Sequence, residues 1–385
     1  MSNSFLPFSK PTISEAAIQE VADCLRSGWI TTGPRVQKFE AMLSEYFGTP
    51  GVQSCTSATA GLMMALQALD LQPGDEVITT PMTFVATLNC IVLAGGTPKL
   101  VDINRDTLNI GPDRIAAAIT PRTRAILPVH FAGLPVDMDP VYALADKHGL
   151  RVIEDAAHAI GTEYKGKKIG SFGDTQVFSF HPNKNMTTGE GGCVVTRDAA
   201  MRQRINLLRF HGIDREAWAR FGKQGTPQYD IALAGYKFNM MDMQAALGIH
   251  QLPELDGFIT KRTALAQRYY QLLKGMPGFF LPGAVSFAHR HAWHLFTVLV
   301  DVERLGFSRD DFMQRLKQYD IGTGLHYQAI HLSTYYTEKW GFHRGDFPDA
   351  EYVSDRIVSL PLFPLMTEKD QDRVVAALGK VCQIP

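Results

Sequence analysis

The chain has 385 residues, long enough for one large and one smaller domain, each with its own core. Lys and Arg total 38 against 39 Asp and Glu, a net charge of −1, so no global basic field exists to hold nucleic acid or an anionic membrane. Any phosphate site must therefore be local.

The N-terminus, Met1-Ser-Asn-Ser-Phe-Leu-Pro-Phe8, has neither a basic n-region nor an apolar h-region, and no stretch approaches the roughly eighteen apolar residues of a membrane span. The sequence predicts a cytoplasmic protein with no membrane partner. Five cysteines, Cys24, Cys55, Cys90, Cys193 and Cys382, form no C-x-x-C pair and lack histidines at zinc spacing, which reads as buried thiols in a reducing compartment. Only Cys55, beside the first motif, invites attention.

That motif is Ser54-Cys-Thr-Ser57-Ala-Thr59-Ala-Gly61-Leu-Met-Met-Ala-Leu66, where small hydroxyl residues pass directly into apolar residues at helical spacing. Ser57, Ala58 and Thr59 fall at a helix N-terminus, whose free N–H groups and dipole suit a phosphate. The same pattern also makes an ordinary N-cap. Between residues 75 and 200, strands are expected at Glu76–Thr79, Pro98–Asp102, Ala125–His130, Arg151–Glu154, Thr175–Ser179 and Gly192–Thr196, with helices at Thr83–Leu93 and Met138–Lys147. Such alternation predicts a mostly parallel sheet covered on both faces, with ligands at the carboxyl ends of its strands. Further on, Gly222, Gly225 and Pro227 mark a loop, and Asp242–Leu252 and Gly257–Leu273 read as helices. The strand His294–Asp301 and the helices Arg309–Gln318 and Asp370–Val381 suggest a compact α+β unit, which divides the chain into 1–255 and 256–385.

Two residues on this frame carry chemistry. Asp155 closes the run Arg151-Val-Ile-Glu-Asp155-Ala-Ala-His158, and Lys184 follows a second strand in Ser179-Phe-His-Pro-Asn-Lys184-Asn-Met-Thr-Thr-Gly-Glu190-Gly-Gly192. A pyridoxal phosphate enzyme needs one carboxylate for the ring nitrogen and one amine for the Schiff base. Alone, the lysine reads as a solvated charge and the aspartate as a cap or metal ligand. Together with an upstream phosphate site they define a cofactor pocket. Gly189, Gly191 and Gly192 are dense enough to imply positive dihedrals or close backbone approach in the turn holding Lys184. His326 and His331, five apart, could suggest a metal, but no third ligand accompanies them.

The Asp-Ala-Ala-His block, the Ser-Phe-His-Pro-x-Lys-Asn block with Thr-Gly-Glu-Gly-Gly, and the opening Ser27-Gly-Trp-Ile-Thr-Thr-Gly33-Pro resemble the DegT/DnrJ/EryC1/StrS family of nucleotide-sugar aminotransferases, from about Phe5 to the C-terminal helix. The resemblance implies an α/β protein of pyridoxal phosphate fold type I: a mostly parallel seven-stranded sheet between helices, a smaller α+β C-terminal domain, and a homodimer with shared active sites. It implies pyridoxal phosphate held as an aldimine on Lys184, passing through pyridoxamine phosphate in turnover, with Asp155 at the ring nitrogen. His158 stands near the ring hydroxyl, where many relatives carry Gln; a core hydrogen bond is the alternative. Phe84 matches the aromatic stacking position, Ser179 the hydroxyl donor to the phosphate beside the Ala58 and Thr59 amides, and Asn239 an Asn reaching the neighbouring subunit's cofactor phosphate. Trp29, Thr31, His326 and Tyr327 fall at substrate positions.

The substrates so implied are L-glutamate, leaving as 2-oxoglutarate, and a nucleotide-linked keto-sugar. His291-Ala-Trp-His-Leu-Phe296, Gly322-Thr-Gly-Leu-His326 and Ser359-Leu-Pro-Leu-Phe-Pro364 look closest to members making UDP-4-amino-4-deoxy-L-arabinose from the UDP-4-keto-pentose. Met241 stands where members acting on N-acetylated keto-sugars commonly carry Arg. Thr187-Thr-Gly-Glu-Gly-Gly192 departs from the arabinose branch, which reads Thr-Cys-Ala-Glu-Gly-Gly, so another keto-sugar or a simple carbonyl acceptor stays open. Relatives that dehydrate sugars replace the lysine by His; a non-catalytic regulator would tolerate losing Lys184 or Asp155.

Overall fold

A computed structural model describes residues 5–213 and 228–383. The loop expected at Gly222, Gly225 and Pro227 lies outside the described residues. Seven strands build the central sheet: β1 (Gln53–Cys55), β2 (Glu76–Thr79), β3 (Thr97–Leu100), β4 (Thr123–Ile126), β5 (Arg151–Asp155), then, after the short hairpin β6 (Glu163–Tyr164) and β7 (Lys167–Lys168), β8 (Thr175–Ser179) and β9 (Gly192–Thr196). Their order is β1-β9-β8-β5-β4-β2-β3. The pairs from β8 to β3 are parallel, and β9 is antiparallel to both β8 and β1. Two reversals restore direction, so β1 runs the same way as β8.

The strands are apolar on both sides because the sheet has helices on both faces. Phe178, Cys193 and Val195 join a core with Phe39, Phe47 and Ile249, whereas Val177 and Val194 face a second core with Leu62 and Met64. Alternate residues thus enter opposite cores.

Several expected boundaries shift for identifiable reasons. The strand expected at Ala125–His130 ends at Ile126, because Pro128 has no N–H for a ladder; Val129 keeps a single bridge to Asp155. The helix expected from Thr83 begins at Val85, after Phe84. The two helices expected at Asp242–Leu252 and Gly257–Leu273 are one, Asp242–Leu273, running through Pro253. An interior proline costs about 3 kcal/mol, but Leu252, Leu255, Phe258 and Ile259 are buried around it, each contributing roughly 1.5–3 kcal/mol. Burial wins.

The first turns of this helix pack into the sheet core, and its last turns supply Leu265, Tyr269 and Leu273 to a separate core. There they meet the antiparallel sheet of β10 (Phe279–Phe280), β12 (Phe296–Val300) and β13 (Ile357–Leu360), and the helices Arg309–Gln318 and Glu368–Val381. Leu6 crosses to this separate core and bridges Ile321. A third small sheet, in which β11 (His289–Arg290) extends the β6–β7 hairpin, had no sequence signal. Among the described residues no helix is long and apolar enough to cross a membrane.

Candidate active site

The common direction of β1, β2, β5 and β8 brings the segments that follow them to one edge of the sheet. Here the chain forms a cavity of about 410 Å³ whose lining includes Ser57, Ala58, Thr59, Phe84, Asp155, His158, Ser179, Lys184, His326 and Tyr327. Residues far apart in sequence meet because parallel strands end together.

Helix α3 (Ala58–Gln67, preceded by α1, Glu15–Arg26, and α2, Pro34–Phe47) starts at this edge. Ser57 caps it, its Oγ accepting the Ala60 N–H at 3.1 Å, which leaves the Ala58 and Thr59 amides without an intrahelical partner. Gly192 is what lets the helix approach so closely: a Cβ there would lie 2.6 Å from the Ala58 nitrogen and 2.6 Å from the Phe178 carbonyl oxygen. Gly189 adopts φ +80°, so the glycine run combines both expected features, a left-handed turn and a close approach. Cys55 is fully buried and its thiol is pushed up to about 12 by burial, which makes it inert.

Asp155 is buried at the tip of β5. Its carboxylate accepts the Thr87 hydroxyl at 2.7 Å and the Ala157 N–H at 3.1 Å, and Thr83 lies 2.8 Å behind Thr87. Burial pushes this carboxyl up, opposed by those two donors and by the Lys184 charge. A cation placed against it would restore the anion. Lys184 is lowered to about 8 by burial, with Asp155 pulling the other way, so an appreciable fraction is neutral amine near neutral pH. Thr83 and Thr87 escaped the sequence reading, although their spacing of four at a helix start was the available signal.

His158 accepts the Ala132 N–H at Nδ1, 3.2 Å, and its Nε2 lies 2.9 Å from the Tyr327 hydroxyl. Its ring sits 4.3 Å from that of His294, and burial holds both imidazoles well below their ordinary value. His326 bonds Ser359 Oγ at 2.8 Å through Nδ1 and is lowered to about 4 by burial, so it is neutral at pH 7. His331 turns instead to Glu351, 3.1 Å away. Phe84 is 55% exposed and stands 5.8 Å from the Tyr327 ring. Ser179 Oγ accepts the His181 N–H at 3.4 Å. His181, Asn183 and Glu190 also line the cavity, and the sequence reading gave them no role.

Trp29, Thr31 and Asn239 do not line this cavity; they meet in a second cluster. Asn239 bridges Cys55 in the backbone, donates to Thr32 Oγ1 at 2.5 Å, and accepts from Lys237 Nζ at 2.5 Å. Trp29 Nε1 donates to the Thr32 carbonyl at 3.0 Å, and the Thr31 carbonyl accepts the Asp242 N–H at 3.0 Å. Asp242 in turn caps α2 through the Arg35 and Val36 amides.

Comparison with known proteins defines the class. The family model of the DegT/DnrJ/EryC1/StrS aminotransferases matches residues 11–379. The chain is 46% identical over 378 residues to MJ1066, an uncharacterized protein of Methanocaldococcus jannaschii, covering 98% of each. Its fold matches the putative sugar aminotransferase Spr1654 of Streptococcus pneumoniae in its PMP form, with TM-score 0.90, 33% identity and 98% and 99% of the two chains covered. It likewise matches PseC of Helicobacter pylori, an aminotransferase involved in the biosynthesis of pseudoaminic acid, at TM-score 0.91, 28% identity and 98% and 99% coverage. The protein is thus an aminotransferase of pyridoxal phosphate fold type I that uses pyridoxal phosphate. It belongs to the DegT/DnrJ/EryC1/StrS aminotransferase family. The side chains present fit that cofactor: a helix N-terminus for its phosphate, a buried carboxylate whose pKa calls for a cation, and an amine lowered to about 8 beside it.

Proposed function

We propose that this enzyme moves the amino group of L-glutamate to the 4-keto carbon of a nucleotide-linked sugar, with a UDP-linked 4-keto-pentose favoured over N-acetylated keto-hexoses. The observation that carries the reading is the meeting of Lys184 and Asp155 in one cavity at the N-terminus of α3. Met241 in place of an arginine supports the choice of sugar, and the His326-Tyr327 segment lining the cavity supports a nucleotide-bearing acceptor.

Pyridoxal phosphate, when bound, supplies the electron sink that lets a carbon acid lose its proton. The residues divide the remaining work. The Ala58 and Thr59 amides and the Ser179 hydroxyl would hold its phosphate, and Phe84 would cover its ring face. Asp155, kept in place by Thr87 and Ala157, holds a proton on the ring nitrogen by charge. Lys184, near pKa 8, takes the proton from the donor α-carbon and returns one, because its proton affinity is matched to neutral pH. The smaller unit, 256–385, contributes His326 and Tyr327 from the acceptor side of the cavity. The reading is that of a cytoplasmic enzyme.

The active unit is read as a homodimer in which Asn239 reaches the partner's phosphate, with Trp29 and Thr31 beside it at the subunit boundary. Mixing Lys184→Ala with Asn239→Ala chains should produce hybrids in which one site keeps both native residues. Activity is expected to rise well above that of either parent after subunit exchange. Activity that stays at the parental level, although exchange is verified by mass, would place Asn239 in its own chain's site.

The acceptor is tested by supplying L-glutamate with a UDP-4-keto-pentose or a UDP-N-acetylamino 4-keto-hexose and identifying products by mass spectrometry. The pentose should be aminated faster, since remote nucleotide contacts hold the carbonyl carbon over the reacting nitrogen and their binding energy raises turnover. His326 is neutral, so its contact is worth an ordinary hydrogen bond, and His326→Ala should lower kcat/KM for the nucleotide sugar by about fivefold to tenfold. The half-reaction with glutamate should change little. Equal losses in both halves would put His326 at the cofactor, and efficient turnover of free aldehydes would end the nucleotide requirement.

A further inference from the structure

We propose that His130 and Glu154 are positioning residues for Asp155: a buried hydrogen-bonded link on the far face of the sheet holds the strand tip from which the Asp155 carboxylate enters the cavity. The inference rests on the reading of Asp155 as the partner of the cofactor's ring nitrogen, and extends it to two residues that the mechanism leaves unused.

Successive residues of β5 enter opposite cores: Val152 packs with Phe39 and Ile249, and Ile153 with Leu62 and Met64. Glu154 therefore faces away from the cavity and Asp155 toward it. The His130 and Glu154 side chains are both fully buried, with His130 Nε2 at 2.8 Å from Glu154 Oε2. The other carboxylate oxygen accepts the Tyr142 hydroxyl and the Gln176 side-chain amide, each at 2.5 Å. A second partner fixes the direction of every one of these bonds. His130 Nδ1 accepts the Val136 N–H at 3.1 Å, which leaves the imidazole hydrogen on Nε2. The Tyr142 oxygen accepts the Asp174 N–H at 3.0 Å, and Gln176 Nε2 also donates to the Phe172 carbonyl at 3.0 Å. Three donors thus converge on Glu154, and none of them can turn round to accept.

What this network holds is the end of β5. Regular pairing of β4 with β5 stops at Ile126 and Val152, short of Asp155. The segment 128–130 takes over: the Asp155 N–H donates to the Pro128 carbonyl at 2.9 Å, and the Asp155 carbonyl accepts the His130 N–H at 3.1 Å. The imidazole of the same His130 then reaches Glu154, the residue before Asp155, and closes a ring of contacts around the peptide that joins them. Rotating the strand tip breaks one bond of that ring or the other. Thr87 and Ala157 grip the carboxylate itself, while His130 and Glu154 fix the backbone that carries it. Burying a carboxylate in an apolar core is costly, and an apolar pair of similar volume would pack as well. The polar pair adds a fixed direction.

Glu154→Gln cuts the link at one point. Its amide oxygen can still accept from Tyr142 and Gln176, but its amide nitrogen meets the His130 N–H, donor against donor. In the cofactor-loaded variant the half-reaction with L-glutamate, followed by stopped flow, should slow about tenfold at saturating glutamate, because a misplacement of about 1 Å can cost roughly 10²-fold. The glutamate concentration giving half the maximal rate should stay within about twofold of wild type. Coupling separates positioning from general support of the fold: in an Asp155→Asn background, where the charge to be positioned is gone, Glu154→Gln should slow the step by less than about twofold. Losses that multiply fully in the double variant would overturn the proposal, and so would a folded Glu154→Gln enzyme that reacts at the wild-type rate. Should Glu154→Gln fail to fold, Tyr142→Phe removes one donor from the same carboxylate and keeps the ring; about threefold is then expected, and the same two results overturn the proposal. Asp155→Asn reacting at the wild-type rate would instead end the ring-nitrogen reading itself.

Discussion

Replacing Lys184 by alanine is expected to lower steady-state amino transfer by at least about 10⁴-fold, since in the proposed mechanism the substitution removes both the covalent partner of the cofactor and the proton-transfer group. The loss should not come from unfolding. Lys184 lies in a turn at the cavity, and its backbone N–H donates to the His181 carbonyl at 2.9 Å, a bond that alanine keeps. Noncovalent cofactor binding and a near-native melting temperature would establish that the variant is folded, and multiple turnovers within about tenfold of wild type would remove Lys184 from the chemistry. A pH experiment follows from the same group. Its amine is lowered to about 8 from an ordinary value near 10.5, and only the neutral amine is nucleophilic. The rate at which cofactor-free protein captures pyridoxal phosphate covalently should therefore rise with pH and reach half its maximum about pH 8. A midpoint above about 10 would mean that the lysine is solvated when the cofactor arrives.

The second large effect is expected at Asp155. Asp155→Asn keeps size and hydrogen-bonding shape: the amide oxygen can accept the Ala157 N–H and the amide nitrogen can face Thr87. What it removes is the charge proposed to face the protonated ring nitrogen. The proton-abstraction step should slow by about 10³-fold, about 4 kcal/mol, the range seen when one preorganised electrostatic partner is removed. Stopped-flow measurement of the half-reaction with L-glutamate isolates that step. A rate within about threefold of wild type, a barrier change of about 0.65 kcal/mol, would make Asp155 a structural group.

Much of this site could be read from the chain because its parts are local. Ser57 as an N-cap, the glycines after Lys184, and the carboxylate closing β5 each follow from a few adjacent residues, and the strands Glu76–Thr79, Thr175–Ser179 and Gly192–Thr196 appear with their expected bounds. The expectation failed where a distant partner outweighs a local signal. Pro253 reads as a helix boundary, yet burial on both sides of it carries one helix from Asp242 to Leu273. Thr87 reads as one more residue of an apolar helix, and only the approach of β5 makes it the donor to Asp155.

The sequence by itself determined the chemical inventory of this protein: a lysine, an aspartate, a hydroxyl-rich helix start, and the strand-helix alternation that sends them to one sheet edge. Residue types and short-range spacing are enough for that, since caps, turns and strand ends depend on neighbours in the chain. Only the tertiary structure decided how those groups are tuned. Whether Lys184 is lowered and which nitrogen of His158 accepts a backbone N–H depend on burial and on partners such as Ala132 and His294 that the fold brings from other elements. Desolvation and hydrogen bonding act through space, and no spacing along the chain encodes them.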